Sequence, residues 1–253
     1  MRGTPLLTGI VATIAATLLA GCAPAEQSGP VVLAASSMQE GLGAAAEQWA
    51  GKGHDRPILS FASSSAVARQ VSEGAPADLV VTSDDRWIEW LGERGALSGE
   101  PLPLVANALV VVAPVGAGGN ESLADFAAAP DAGRLAIGEP DSVPAGEFAR
   151  AALQSMGLWD ALSSRLAPGE NVRASLALVE RGEAALGIVY ASDAAASDAV
   201  EVVERIDPEA HPAIVYYVAM TKGSRHPDAR ALMEFLTSPE GRGAIAAKGF
   251  SLP

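Results

Sequence analysis

One cysteine, three lysines and three histidines are all that the 253 residues contain of those types. A single cysteine excludes an internal disulfide and any site built from several thiolates. So few lysines, with a formal net charge of −13, argue against nucleic acid or an anionic membrane surface as partner, because both need clustered cations. The familiar catalytic signatures are also missing: no G-x-S-x-G or S-x-x-K surrounds a serine, and no P-loop, complete G-x-G-x-x-G or H-E-x-x-H occurs. His54, His211 and His226 stand far apart in loop-like contexts. A pairing of one of them with a serine in space stays open, but no motif points to it.

Hydrophobic residues make up 49% and charged residues 19%, the balance of a globular chain with core enough for one large domain or two smaller ones. The start is distinct. "MRGTPLLTGIVATIAATLLAGC" has a cation at Arg2, an apolar run from Leu6 to Ala20 and then small residues, the layout of a secretory signal peptide rather than a membrane span. Its end, "LLAGC", resembles the bacterial lipobox, in which cleavage precedes an acylated cysteine. Residues 1–21 are therefore expected to be a lipoprotein signal, with Cys22 as the lipidation site. Residues 22–30, "CAPAEQSGP", read as a polar tether reaching about 30 Å when extended.

Beyond the tether, strand-like runs alternate with helical patterns. "VVLAA", "PILSF" and "DLVVT" are strand candidates, each followed by a segment with apolar residues at helical spacing, such as Trp87, Trp90 and Leu91. "RLAIG" leads into "VPAGEFARAALQSMG", where Pro144 suits the first helical position. "NVRASLALVERG" is a helix, "AALGIVY" and "VEVVER" are strands, and two helices close the chain. Such alternation predicts α/β architecture with largely parallel sheets. The long β-prone runs at Ala106–Ala113 and Ala213–Met220 are suited to be crossover strands between two lobes.

In parallel sheets, ligands bind beyond the carboxyl ends of strands, where the next helix offers free N–H groups and the positive end of its dipole. Ser36 and Ser37 follow "VVLAA"; Ser63, Ser64 and Ser65 follow "PILSF". Ala145 and Val172 fall at helix starts, and Tyr190 ends a strand. Capping alone also accounts for the serines, since Ser36 with Gln39 and Ser37 with Glu40 fit capping boxes. At this level both readings stand.

Four stretches add a resemblance: "FASSSAVARQVSEGAPADLVVTSD", "VPAGEFARAAL", "APGENVRASLALVERGEAALGIVYASDA" and the closing "GF" at Gly249–Phe250. From Val31 onward the chain resembles the molybdate-binding proteins of bacterial ABC uptake systems. The resemblance implies a type II periplasmic-binding-protein fold: two lobes, each a mainly parallel sheet flanked by helices, with the ligand in the cleft between them. Lobe 1 would comprise residues 31–107 and 217–253, and lobe 2 residues 108–216. It also implies a tetrahedral oxyanion held through Ser37, Ser64, Ala145, Val172 and Tyr190 by hydroxyls and backbone N–H groups, with no direct bond to the metal and no cofactor. Ser63 and Ser65 would brace the turn while Ser64 points inward. Met38 stands where the family usually has leucine.

The expected protein is then a monomeric receptor, not an enzyme, held outside the cytoplasmic membrane by its lipid, in a periplasm or on the outer cell surface. It would bind molybdate and tungstate and deliver them to an ABC permease, touching the membrane only through the anchor. A receptor for sulfate or another tetrahedral oxyanion is the nearest alternative. A serine hydrolase is a remote one, and a structural lipoprotein would need the serines to be caps alone.

Overall fold

The computed structural model describes residues 29–117 and 122–253. The expected signal peptide, Cys22 and most of the tether lie outside the described residues. In chain order, β1 (Val31–Ala35) runs through a 3₁₀ turn (Ser36–Met38) into α1 (Gln39–Gly51). Then come β2 (Ile58–Ala62), α2 (Ser64–Ser72), β3 (Leu79–Thr82), α3 (Asp85–Glu93) and β4 (Leu102–Asn107). The second lobe holds β5 (Leu109–Pro114), α4 (Leu123–Ala128), β6 (Leu135–Gly138), α5 (Pro144–Ser155) and α6 (Trp159–Leu162). It continues with β7 (Leu166–Gly169), α7 (Val172–Glu180), β8 (Leu186–Tyr190), α8 (Ala191–Ala195) and β9 (Val200–Arg205). The chain returns through β10 (Ile214–Met220), α9 (Ala229–Thr237) and α10 (Pro239–Ala246).

Two five-stranded sheets result, ordered β2-β1-β3-β10-β4 and β7-β6-β8-β5-β9. In each, the strand entered straight after a crossing between lobes, β10 or β5, runs antiparallel to both neighbours, and the other pairings are parallel. The apolar runs read as crossover strands are thus the antiparallel members. Sequence boundaries need one correction. Lobe 1 was expected to resume at residue 217, yet Ile214, Val215 and Tyr216 pair with Asn107, Ala106 and Val105 of β4. The return crossing therefore precedes Ile214, because β10 is one continuous apolar strand that fits a single sheet.

Strands buried on both faces need apolar side chains at every position, and β1 shows how these divide. Val32 and Ala34 join Leu42 and Trp49 of α1, with Phe235 and Ile245, on one side of the first sheet. Leu33 faces the other side, among Val67 and Val71 of α2 and Trp87, Ile88 and Leu91 of α3. Helices α1 and α3 therefore cover opposite faces of that sheet. The carboxyl ends of β1, β2 and β3 turn towards those of β6, β7 and β8 across the interlobe cleft.

Candidate anion-binding cleft

Six parallel strands end at this cleft, and each passes into a tight turn or helix start. Ser37 lies in the 3₁₀ turn after β1, and Ser64 is the first residue of α2 after β2. Ser83 follows β3. In lobe 2, Ala145 is the second residue of α5, Val172 the first of α7, and Tyr190 the last of β8. First-turn N–H groups have no intrahelical acceptor and carry the positive end of the helix dipole.

All five residues expected from the sequence, Ser37, Ser64, Ala145, Val172 and Tyr190, line one small cavity, together with Ala35, Ser36, Ser63, Ser83, Val143 and Pro144. The space open to the centre of a water-sized group is about 10 Å³, room for about one water or small ion and far below that of an organic ligand site. No charged side chain lines it.

The hydroxyls are organised by partners. Ser64 Oγ accepts the Ser83 N–H at 3.0 Å and lies 3.0 Å from Ser83 Oγ. Tyr190 Oη donates to that same Ser83 Oγ at 3.4 Å, from the other lobe. Ser37 Oγ sits 2.7 Å from Tyr216 Oη of β10. Neither capping box forms: the Ser36–Met38 turn has no side-chain cap, and Ser37 is drawn to Tyr216 instead. Ser63 is the cap of α2, accepting from Ala66 N at 3.3 Å, and Ser65 Oγ lies 3.0 Å from Ser63 Oγ. Burial pushes the Tyr190 hydroxyl well above its ordinary pKa, so it stays a donor. Ser83 was missed in the sequence, although "VVTSDD" shows the same strand-then-serine pattern as the other two sites.

Ser37 and Ser64 meet hydroxyls and N–H groups, not a base. Among the described residues none of the histidines lines the cavity: His54 stacks on Trp49 with centroids 3.7 Å apart, and His211 packs edge-on to Phe148. The arrangement presents neutral donors and, among the described residues, no base positioned to activate a nucleophile.

The comparisons agree with this chemistry. Residues 30–251 match the model of the bacterial extracellular solute-binding protein family. The chain belongs to that family. The molybdate-binding protein ModA of Escherichia coli is 39% identical over 92% of this chain and 93% of its own. Its namesake from Haemophilus influenzae is 38% identical over 87% and 89%. The Azotobacter vinelandii periplasmic molybdate-binding protein superposes with a TM-score of 0.79, at 24% identity, over 88% of this chain and 99% of that one. That likeness shows the two-lobed fold.

In this solute-binding protein, charges tie the lobes together around the cleft. Arg173 of α7 forms a two-pronged ion pair with Glu40 of α1, with Nη1 3.1 Å from Oε1. Its Nε lies 2.6 Å from the buried Asp193 Oδ1. Arg86 of α3 pairs with Glu147 of α5. Burial lifts the Asp193 carboxyl to about 6 against the opposing pull of Arg173. Asp84, beside Ser83, caps α3 by accepting from Trp87 N at 3.1 Å. Burial, with help from Glu147 and Asp85, lifts its carboxyl to about 7.

Proposed function

We propose that this protein is the extracytoplasmic receptor for molybdate, taking tungstate as well, and that it hands the ion to an ABC permease. One observation carries the reading. Six strand ends bring neutral donors from both lobes onto a cavity sized for one small ion. A dianion buried without partners would be prohibitively unfavourable. Here hydroxyls of Ser37, Ser64 and Tyr190 and first-turn N–H groups of Ala145 and Val172 can surround it, each bond to a charged acceptor contributing roughly 1.5–3 kcal/mol. Neutral donors explain how a chain of net charge −13 takes up an anion. The molybdate-binding relatives, matched over nearly their whole length, support the choice of ion.

In this reading the protein acts as a monomer, Cys22 carries the lipid, and the lobes close on the ion. The test is calorimetric titration of the fragment from Ala23 onward with molybdate, tungstate, sulfate and phosphate, beside Ser64→Ala. One-to-one binding of molybdate and tungstate alone, weakened about tenfold or more in the variant, is expected. Sulfate binding in preference would assign the protein to another oxyanion, and no binding would reduce the serines to structural roles.

A further inference from the structure

We propose that Asn107 and Tyr216, neither of which lines the cleft, fix the Ser37 hydroxyl as a donor and so select oxyanions that carry no proton. This inference rests on the reading of the cleft as an oxyanion site.

The direction of the chain of bonds is set at its start by a backbone group. Asn107 Oδ1 accepts the Ala108 N–H at 3.0 Å, which fixes the orientation of the amide. Its Nδ2 therefore faces Ser192 Oγ at 2.8 Å and Tyr216 Oη at 3.4 Å, and donates to both. Tyr216 is fully buried, and its oxygen is already on the receiving side of the Asn107 amide. Its proton has one acceptor within reach, Ser37 Oγ at 2.7 Å. Burial holds that phenol protonated far above the ordinary tyrosine range. The Ser37 oxygen thus accepts from Tyr216, and its own proton is left to point into the cavity.

Ser64 Oγ also accepts a bond, from the Ser83 N–H, while its own proton has both Ser83 Oγ and the cavity within reach. Backbone N–H groups at Ala145 and Val172 can only donate. An oxyanion without protons meets donors from these directions. One that retains an O–H finds no acceptor at the two backbone N–H groups. At Ser37 it meets an oxygen that already accepts from Tyr216, beside a proton aimed at the same ligand atom. An unmet buried donor weakens binding by about tenfold or more. Ser37 is the position where side chains, not backbone, set this polarity.

The experiment compares the full chain with Tyr216→Phe. That change keeps the ring between Tyr190 and Phe250, whose centroids lie 6.0 and 5.4 Å away, and removes only the hydroxyl. Affinities are measured for molybdate, sulfate and inorganic phosphate at about pH 7.5, where phosphate keeps a proton. Molybdate and sulfate affinity should fall about tenfold while phosphate affinity holds or rises, narrowing the molybdate-to-phosphate ratio by about tenfold. Equal weakening of all three, or an unchanged ratio, would overturn the proposal, since a merely structural role affects every ligand alike. Asn107→Asp is the second variant. Its carboxylate accepts the Tyr216 proton and draws the Ser37 proton outward, so the ratio should narrow at least as far; melting curves show which variant is folded, and either one decides. Should the unmodified chain bind none of the three ions, the oxyanion reading itself fails and takes this inference with it.

Discussion

Ser63, Ser64 and Ser65 are identical side chains whose surroundings divide their work. Ser63 satisfies the Ala66 N–H at the start of α2, while Ser64 reaches Ser83 beside the cavity and Ser65 braces Ser63 and Arg69. Ser63→Ala should therefore lower stability by about 1 kcal/mol, the usual loss for a cap, and leave molybdate affinity within about threefold. Ser64→Ala should do the reverse. Melting temperature and calorimetric affinity, measured on both variants, separate the two roles; equal losses of affinity would deny the division. Asp84 offers a second test at this scale. Its folded carboxyl is raised to about 7 from an ordinary 3.8, so the native state keeps a proton that the unfolded chain has lost. Stability then falls as pH rises from about 4 to about 7, and the full penalty is present above that window. Asp84→Asn keeps an oxygen to cap Trp87 N and removes the buried charge. Its melting temperature should exceed that of the unmodified protein most at about pH 8, and the gap should close towards pH 4. A gap independent of pH would mean that Asp84 does not titrate as described.

At the scale of elements, the site depends on where helix starts are held. A Cβ on Gly146 would lie 2.1 Å from the Gly138 carbonyl oxygen and 2.7 Å from that of Glu139. Those atoms are backbone and cannot step aside. Gly146→Ala must push α5 off the end of β6 and carry the Ala145 N–H out of place. The expected result is a lower melting temperature and at least tenfold weaker molybdate binding, although alanine is the better helix former by about 1 kcal/mol; unchanged affinity would place the Ala145 N–H outside the site. Much of this layout was legible, because buried strands such as β1 and β3 are unbroken apolar runs and the helices keep their 3.6-residue spacing. Of the four edge strands, β2 and β9 were legible and β4 and β7 were not. Strand β4 contains Pro103, and β7 contains Pro168 and Gly169, residues that argue against a strand except at a sheet edge, which is where both lie. The five anticipated cleft residues were legible as strand ends with serines or helix starts, aided by family resemblance. Ser83 carried the same local signal and was passed over, whereas Tyr216 was not legible, because its meaning comes from a partner distant in sequence: it meets Ser37 across 179 positions. Local pattern suggested capping boxes there, and a tertiary contact prevailed.

For the whole molecule, the question is what holds the lobes closed. Arg173–Glu40 and Arg86–Glu147 each join one lobe to the other, and α1 and α3 lie on opposite faces of the first sheet, so the pairs sit on opposite sides of the cleft. Hinge opening would part both at once. Their side chains are partly exposed, and such pairs contribute about 0.2–1 kcal/mol each, less in salt. That is small beside the bonds proposed to the ion, so the pairs should tune release rather than determine binding. Glu40→Gln leaves Arg173 its contact with Asp193, and Glu147→Gln frees Arg86; both changes spare the donors around the cavity. The double variant should raise the molybdate dissociation rate by about two- to tenfold at low salt, with a smaller effect at about 1 M salt, where charges are screened within about 3 Å. The association rate should change less, because the ion enters before the lobes meet. Stopped-flow release at two salt concentrations measures this. A dissociation rate unmoved at low salt would mean that closure rests on the ion and on uncharged contacts between the lobes, such as Tyr190 on Ser83 and Asn107 on Ser192.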